Sequence, residues 1–188
     1  MTSDIIMGIV IAILVLLSAF FSATETAFSF VNKIRIQHSV DNGNKKATKV
    51  LYVIENFDNA LTTILICNNI VNLSCSSVAT VLFTHVFNDL GPAIATGVIT
   101  LLVLTFGEVI PKCLAKEHCD AFSLKTAGFL RVLMLILKPF VFVFLKLKSL
   151  GGFVYLDMLK QPFFKIENNY YMIKGIEGND YFRIAVHG

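Results

Sequence analysis

Between Asp58 and Pro111 the chain carries neither lysine nor arginine, and after Asp58 its only acids are Asp89 and Glu108. A water-soluble domain needs a charged, solvated surface, and a stretch of this length without basic residues cannot supply one. Composition agrees: 55% of residues are hydrophobic and 15% charged, with a mean hydropathy of +0.71. The chain therefore reads as a membrane protein whose natural surroundings are the lipid bilayer. Its net charge of +3 is small, and Lys and Arg cluster between the apolar runs. That pattern is one of membrane topology, and no nucleic-acid partner is expected. The four cysteines, Cys67, Cys75, Cys113 and Cys119, form no Cys-x-x-Cys pair, so neither a disulfide framework nor a zinc site is expected.

The first apolar segment runs from Ile5 to about Phe30. At ~1.5 Å per residue it can cross a hydrocarbon core of about 30 Å. The leader Met1-Thr2-Ser3-Asp4 lacks the basic region of a signal peptide, so a retained helix is expected. A basic stretch with Lys33, Arg35, Lys45, Lys46 and Lys49 follows, with turn chemistry at Asn42-Gly43-Asn44; positive charge places it in the cytoplasm. A second span covers about Ala60 to Phe83, and the loop from His85 to Pro92, without Lys or Arg, should lie outside. A third, Ala93 to Ile110, is interrupted at Gly107 and stopped by Pro111, after which Lys112, Lys116 and Lys125 restore positive charge.

Residues 121–148 resemble a fourth span, but Lys125, Arg131, Lys138 and Lys146 recur every six to eight residues, the pattern of an amphipathic stripe. Crossing there would also put Lys148, Lys160 and Lys165 outside, against the positive-inside bias. The segment is expected along the cytoplasmic interface, kinked before Pro139. The expected fold is thus an all-α membrane protein: three transmembrane helices plus cytoplasmic interfacial (juxtamembrane) helices, N-terminus outside and C-terminus cytoplasmic. The last forty residues open with Gly151-Gly152 and turn aromatic and polar, with a hairpin turn expected over Lys174–Asp180.

Polar groups inside spanning helices are costly unless they pair, so each is a functional candidate. Ser18, Ser22 and Glu25 stand at i, i+4 and i+7 on one helix face; the two serines could equally permit close packing or bond back to the preceding turn. The second span holds Asn68, Asn69 and Asn72, either interhelical hydrogen-bond glue or neutral oxygen ligands suited to Mg2+ or Ca2+. Glu108, between Gly107 and Pro111, is either a helix-end acid near water or a charge beside carbonyls freed by a broken helix. Counted from the cytoplasmic ends at 1.5 Å per residue, Ser22 and Asn68 lie roughly 12 Å in, Ser18 and Asn72 roughly 18 Å, and Glu108 about 5 Å. Hydroxyl, amide and carboxylate oxygens converging in the cytoplasmic half suit a hard cation.

The runs Phe21-Ser22-Ala23-Thr24-Glu25-Thr26-Ala27, Ile66-Cys67-Asn68-Asn69-Ile70-Val71-Asn72 and Phe106-Gly107-Glu108-Val109-Ile110-Pro111-Lys112 resemble the membrane domain of the cyclin-M (CNNM)/CorC family of magnesium transporters, over about residues 5–148. The resemblance implies a homodimer that exports Mg2+ in exchange for Na+. It places the family's metal ligands on Ser18, Ser22, Asn68, Asn72, Gly107 and Glu108, with its proline on Pro111. Cys67 and Asn69 depart from the family pattern. The resemblance also implies the domain limits, 1–148 for the transmembrane domain with its juxtamembrane helices and 149–188 for a short cytoplasmic tail. The family's nucleotide-binding CBS domains are absent from these 188 residues, so nucleotide binding is not expected. The reading is a transporter, not an enzyme, in a bacterial-type plasma membrane, with Glu25 a second charge compensator or a structural anchor. A non-transporting regulatory or scaffold subunit, or a Na+- or Co2+-selective carrier, is the alternative.

Overall fold

The structure is a computed structural model that describes residues 2–143 and, as backbone alone, residues 164–167, 170–174 and 181–185. The chain divides into two compact units, Met1–Val141 and Phe142–Gly188. The first is helical throughout. Helix α1 (Thr2–Phe30) is followed by α2 (Lys33–Asp41) and α3 (Lys45–Glu55), then by α4 (Phe57–Phe87). A 3-10 turn at Asn88–Leu90 leads into α5 (Gly91–Leu102), a π-helical segment (Val103–Val109), α6 (Ile110–Glu117) and α7 (Cys119–Ile136).

Among the described residues, two helical stretches are long and apolar enough to cross a membrane, Ser3–Phe30 and Phe57–Glu117. The second is 61 residues long and folds back on itself at Asn88–Leu90, so that α4 and α5 pack against each other. Asn88 closes α4 with a left-handed φ of 49°, which asparagine tolerates better than most residues. At Gly91 the arms touch: a Cβ there would lie 2.4 Å from the Thr84 Cα. Helix α1 packs against α4, the π segment and α6. Ile11 and Val15 of α1, Cys75 and Ala79 of α4 and Ile99 of α5 form one buried cluster. Asp4 faces His85 at 3.6 Å and Glu25 faces Lys112 at 3.3 Å, so α1 runs antiparallel to α4 and parallel to the α5–α6 arm. Small residues Ala23, Ala27 and Ala115 let α1 and α6 approach closely. The outer faces are apolar, with Leu16, Leu73 and Leu101 exposed by 70%, 70% and 68%, a surface made for lipid and not for water.

The short helices are capped as their sequences suggest. Asn32 Oδ1 accepts from the Arg35 amide at 3.1 Å, and Asn44 Oδ1 from the amides of Lys46 and Ala47 at 2.9 and 3.4 Å. Gly43 takes φ +83° in the turn between α2 and α3, where turn chemistry was expected. Ile36 of α2, Val50 and Val53 of α3, Ile64 of α4 and Leu130 of α7 share a second core with Phe21 and Phe28 of α1. Phe20 of α1 sets its ring edge-on to Phe129 of α7 at 5.6 Å. Arg35 and Asp120 form an ion pair that ties α2 to α7. Helix α7 ends in a turn at Leu137, and helix resumes over 138–143, matching the kink expected before Pro139; the rest of the stretch expected to reach residue 148 lies outside the described residues.

One expectation is corrected. Pro111 does not stop the third segment: it occupies the first turn of α6, and the helix continues to Glu117. A proline has no N–H to donate and is tolerated in a first turn, where the helix before it has widened. The widening is the π segment, in which the Ile110 amide bonds the Thr105 carbonyl five residues back. The segment is therefore bulged and continuous, where an interruption at Gly107 was expected.

The second unit carries an antiparallel sheet of β1 (Phe164–Glu167), β2 (Tyr170–Lys174) and β3 (Tyr181–Ala185) in that order. The all-α expectation holds for the first unit and did not foresee these short strands. Lys174 pairs with Tyr181, so β2 and β3 flank the expected hairpin, whose residues 175–180 lie outside the described residues.

Candidate metal centre

Serine and threonine hydroxyls inside apolar helices have two common destinations, their own helix or a neighbour. Thr24, Thr63, Ser77, Thr80, Thr84, Thr96 and Thr126 each donate to the carbonyl four residues back, at 2.7–2.9 Å. Ser18 and Ser22 behave differently. Both are fully buried; the Ser18 hydroxyl crosses to Asn68 Oδ1 of α4 at 3.2 Å, and Ser22 Oγ has no hydrogen-bond partner among the described residues. On α4, Asn72 Nδ2 donates to Glu108 Oε1 at 3.4 Å, while Asn72 Oδ1 is buried without a partner. Among the described residues one further buried oxygen is orphaned, Ser123 Oγ on α7. Most buried polar atoms in proteins are hydrogen-bonded, so two orphaned oxygens on neighbouring helices, each next to a polar contact between helices, are places where a water or a ligand would be held.

Gly107 completes the group. A Cβ at this position would lie 3.0 Å from Ser18 Oγ, so glycine lets the π segment come directly against the serine. Because Pro111 has no N–H, the carbonyl that residue 111 would serve, Gly107 in an α register or Phe106 in the π register, receives no bond from it. Five of the six residues singled out in the sequence are thus linked by close approach: Ser18 to Asn68 and Gly107, and Asn72 to Glu108. Ser22 stands one turn along α1 from Ser18. Glu25 is not with them, since it pairs with Lys112 and anchors α1 to α6. Asn69 is exposed, off the face that Asn68 and Asn72 share.

The levels differ from the depths counted in the sequence. Ser18 meets Asn68 and not Asn72, and Glu108 lies level with Asn72. Part of the reason is where the helices end: α4 starts at Phe57, ahead of the expected Ala60, and the third arm runs on to Glu117. Counted from the observed ends at 1.5 Å per residue, Ser18 is ~18 Å in and Asn68 ~16 Å, which accounts for their meeting; Glu108 rises to ~13 Å but stays short of Asn72 at ~22 Å, so helix length alone does not explain that second contact.

Sequence reasoning passed over Ser76, Thr96 and Thr100. With Asn72 and Glu108 they line a groove of about 240 Å³ between α4 and α5, walled by Ile99, Val103 and Leu104. The i, i+4 pairs Asn72/Ser76 and Thr96/Thr100 were the available signal, a polar stripe on each arm. Chemically the centre offers hydroxyl, amide, carboxylate and carbonyl oxygens, the set that hard cations take.

The class follows from fold and site together: a helical membrane domain in which a folded-back helical hairpin and an antiparallel first helix enclose a nest of oxygen donors. Residues 9–155 match the family model of the cyclin M transmembrane N-terminal domain, and the chain belongs to that family. It is 40% identical over 156 residues to a UPF0053 protein of Haemophilus influenzae, covering 81% of this chain and 37% of the relative. It is 34% identical over 127 residues to the UPF0053 inner membrane protein YfjD of Escherichia coli, covering 68% and 30%. With the UPF0053 protein YhdT of Bacillus subtilis the figures are 30% over 154 residues, 74% and 33%. The chain spans about a third of the length of these relatives. It is a membrane protein of a family with bacterial members, one of them named for the inner membrane.

Proposed function

We propose that the chain is the membrane module of a divalent-cation transporter, with Mg2+ as cargo, held by Ser18, Ser22, Asn68, Asn72, Glu108 and the Gly107 carbonyl. The observation that carries this reading is the behaviour of two fully buried hydroxyls. Ser18 crosses to Asn68 and Ser22 has no partner, where Thr24 and Thr63 beside them bond their own helices. Mg2+ gives up its water reluctantly and demands near-octahedral oxygens at about 2.0–2.1 Å, so a set of protein oxygens is the natural exchange for its waters. Asn72 can serve two roles at once: its Nδ2 steadies the Glu108 carboxylate while its Oδ1 turns to the ion. One carboxylate leaves a bound dication with net positive charge, which favours release over capture.

In this proposal the chain crosses the bilayer three times, as α1, α4 and the α5–α6 arm, with α2, α3 and α7 at the cytoplasmic interface and the N-terminus outside. It acts as a homodimer by alternating access, with Na+ as the coupling ion, and performs no covalent chemistry. Membrane-helix association rests on packing and polar contacts, and a monomeric mass in both mild detergent and lipid nanodiscs would count against the dimer. The decisive test is flux: liposomes containing the purified chain and an enclosed Mg2+ indicator should respond to a Mg2+ gradient. Silence with intact Mg2+ binding would favour the regulatory or scaffold reading. Tighter binding of Na+ or Co2+ in competition would reassign the cargo.

A further inference from the structure

Helices α3 and α7 pack side by side, and a basic side chain from each reaches across their seam. Lys49 of α3 lies across Gly128 of α7, its Nζ 3.7 Å from where a Cβ would stand. One turn further along α7, the Arg131 guanidinium stacks on the Tyr52 ring at 4.6 Å from its centroid. Lys49, Tyr52 and Arg131 are all exposed. Asp120 pairs with Arg35 and Glu25 with Lys112, and Glu55, one turn after Tyr52 on α3, is exposed and makes no ion pair with either cation. Among the described residues, neither Lys49 nor Arg131 has a carboxylate oxygen within 4.0 Å. Two exposed cations on adjoining helices, neither in a salt bridge among the described residues, form a place for an anion. Arg131 is pre-organised by its stack on Tyr52.

An apolar surface runs on from this cationic pair. Val132 and Leu135 stand four and seven residues after Gly128, on its side of α7, and are 55% and 72% exposed. A phosphate beside Lys49 and Arg131 would leave an attached hydrocarbon chain lying on Val132 and Leu135. Head charge and apolar tail are the two halves of a phospholipid. We infer that Lys49, Gly128 and Arg131, with Val132 and Leu135 below them, form a binding site for the phosphate headgroup of an anionic membrane lipid. The inference is independent of the ion site, with which it shares no residue.

The test is lipid retention by the purified full chain in detergent, read by native mass spectrometry, with dioctanoyl-phosphatidylglycerol, dioctanoyl-phosphatidylcholine and inorganic phosphate as probes. The expected result is retention of phosphatidylglycerol about tenfold stronger than phosphatidylcholine, with inorganic phosphate unable to compete at the same concentration. The double substitution Lys49→Gln with Arg131→Gln should remove that preference, while Lys45→Gln with Lys46→Gln keeps it within about twofold. Gly128→Glu, which sets a carboxylate between the two cations, should remove it as well. Equal loss in both double variants would make the effect general surface charge and overturn the site. Equal retention of both lipids, competition by phosphate, or survival of the preference in Gly128→Glu would each overturn it too.

Discussion

Gly107→Ala is the perturbation whose outcome depends most directly on how the ion site is built. The added methyl would sit 3.0 Å from Ser18 Oγ, 3.3 Å from Ser18 Cβ and 3.4 Å from Val103 Cγ1, so Ser18 must give way by a few tenths of an ångström. Overpacking of this kind costs about 1–3 kcal/mol, offset by the roughly 1 kcal/mol that alanine gains over glycine in a helix. Metal-free stability should therefore fall by no more than about 2 kcal/mol. An Mg2+ cage tolerates such displacement far less, because its oxygens must hold near about 2.0–2.1 Å; a tenfold loss of affinity, about 1.4 kcal/mol, is expected. Thermal unfolding in detergent, with and without Mg2+ at about 100 times the wild-type Kd, separates the two effects. Ligand linkage gives the wild type about 2.7 kcal/mol of protection and the variant about 1.4 kcal/mol. If Gly107→Ala lowered metal-free stability while Mg2+ protection stayed whole, Gly107 would be a packing glycine and the cage would not include Ser18.

Asn72→Ala and Glu108→Ala should each abolish Mg2+ binding by calorimetry while leaving helicity intact, whereas Asn69→Leu should be tolerated; equal cost at residues 69 and 72 would make the amides interhelical glue. Glu25→Gln removes a partly exposed ion pair with Lys112 and should cost under about 1 kcal/mol, with Mg2+ affinity unchanged; a tenfold affinity loss would return Glu25 to the site. In a cysteine-free background, Asp89→Cys should react with an impermeant thiol reagent from outside intact cells and Asn44→Cys only after permeabilisation, and the reverse pattern would invert the orientation.

Much of this arrangement is legible in the sequence because hydrophobicity and charge dominate it. The span of α1, the Gly43 turn, the break before Pro139 and the turning of Asn69 away from Asn68 all follow from local rules. Local rules fail where tertiary packing decides. Pro111 carries a breaker signal, yet a π widening upstream lets it stand in a first turn, and no local pattern encodes that widening. A depth for Glu108 counted from Pro111 as the helix end falls short for the same reason. Ser76, Thr96 and Thr100 look locally like small polar residues of apolar helices, and only the pairing of α4 with α5 puts them on one groove. For Ser18 and Ser22 the sequence leaves back-bonding open, and it takes the position of α4 to show where the Ser18 hydroxyl goes.

The contact at Gly91 sets a dimension far from itself. The atoms that a Cβ there would strike all belong to the backbone of α4: the Cα and N of Thr84 at 2.4 and 2.5 Å and the carbonyl carbon of Phe83 at 2.6 Å. Backbone cannot swing aside as a side chain can, so any larger residue at 91 must wedge the two arms apart at their joint. Asn72 lies ~18 Å down α4 from Thr84 at 1.5 Å per residue, and its 3.4 Å contact with Glu108 bridges the same two arms. Gly91 therefore acts as a spacer gauge: bulk added at the tip of the hairpin is read out as a gap further along it, where the oxygens must meet.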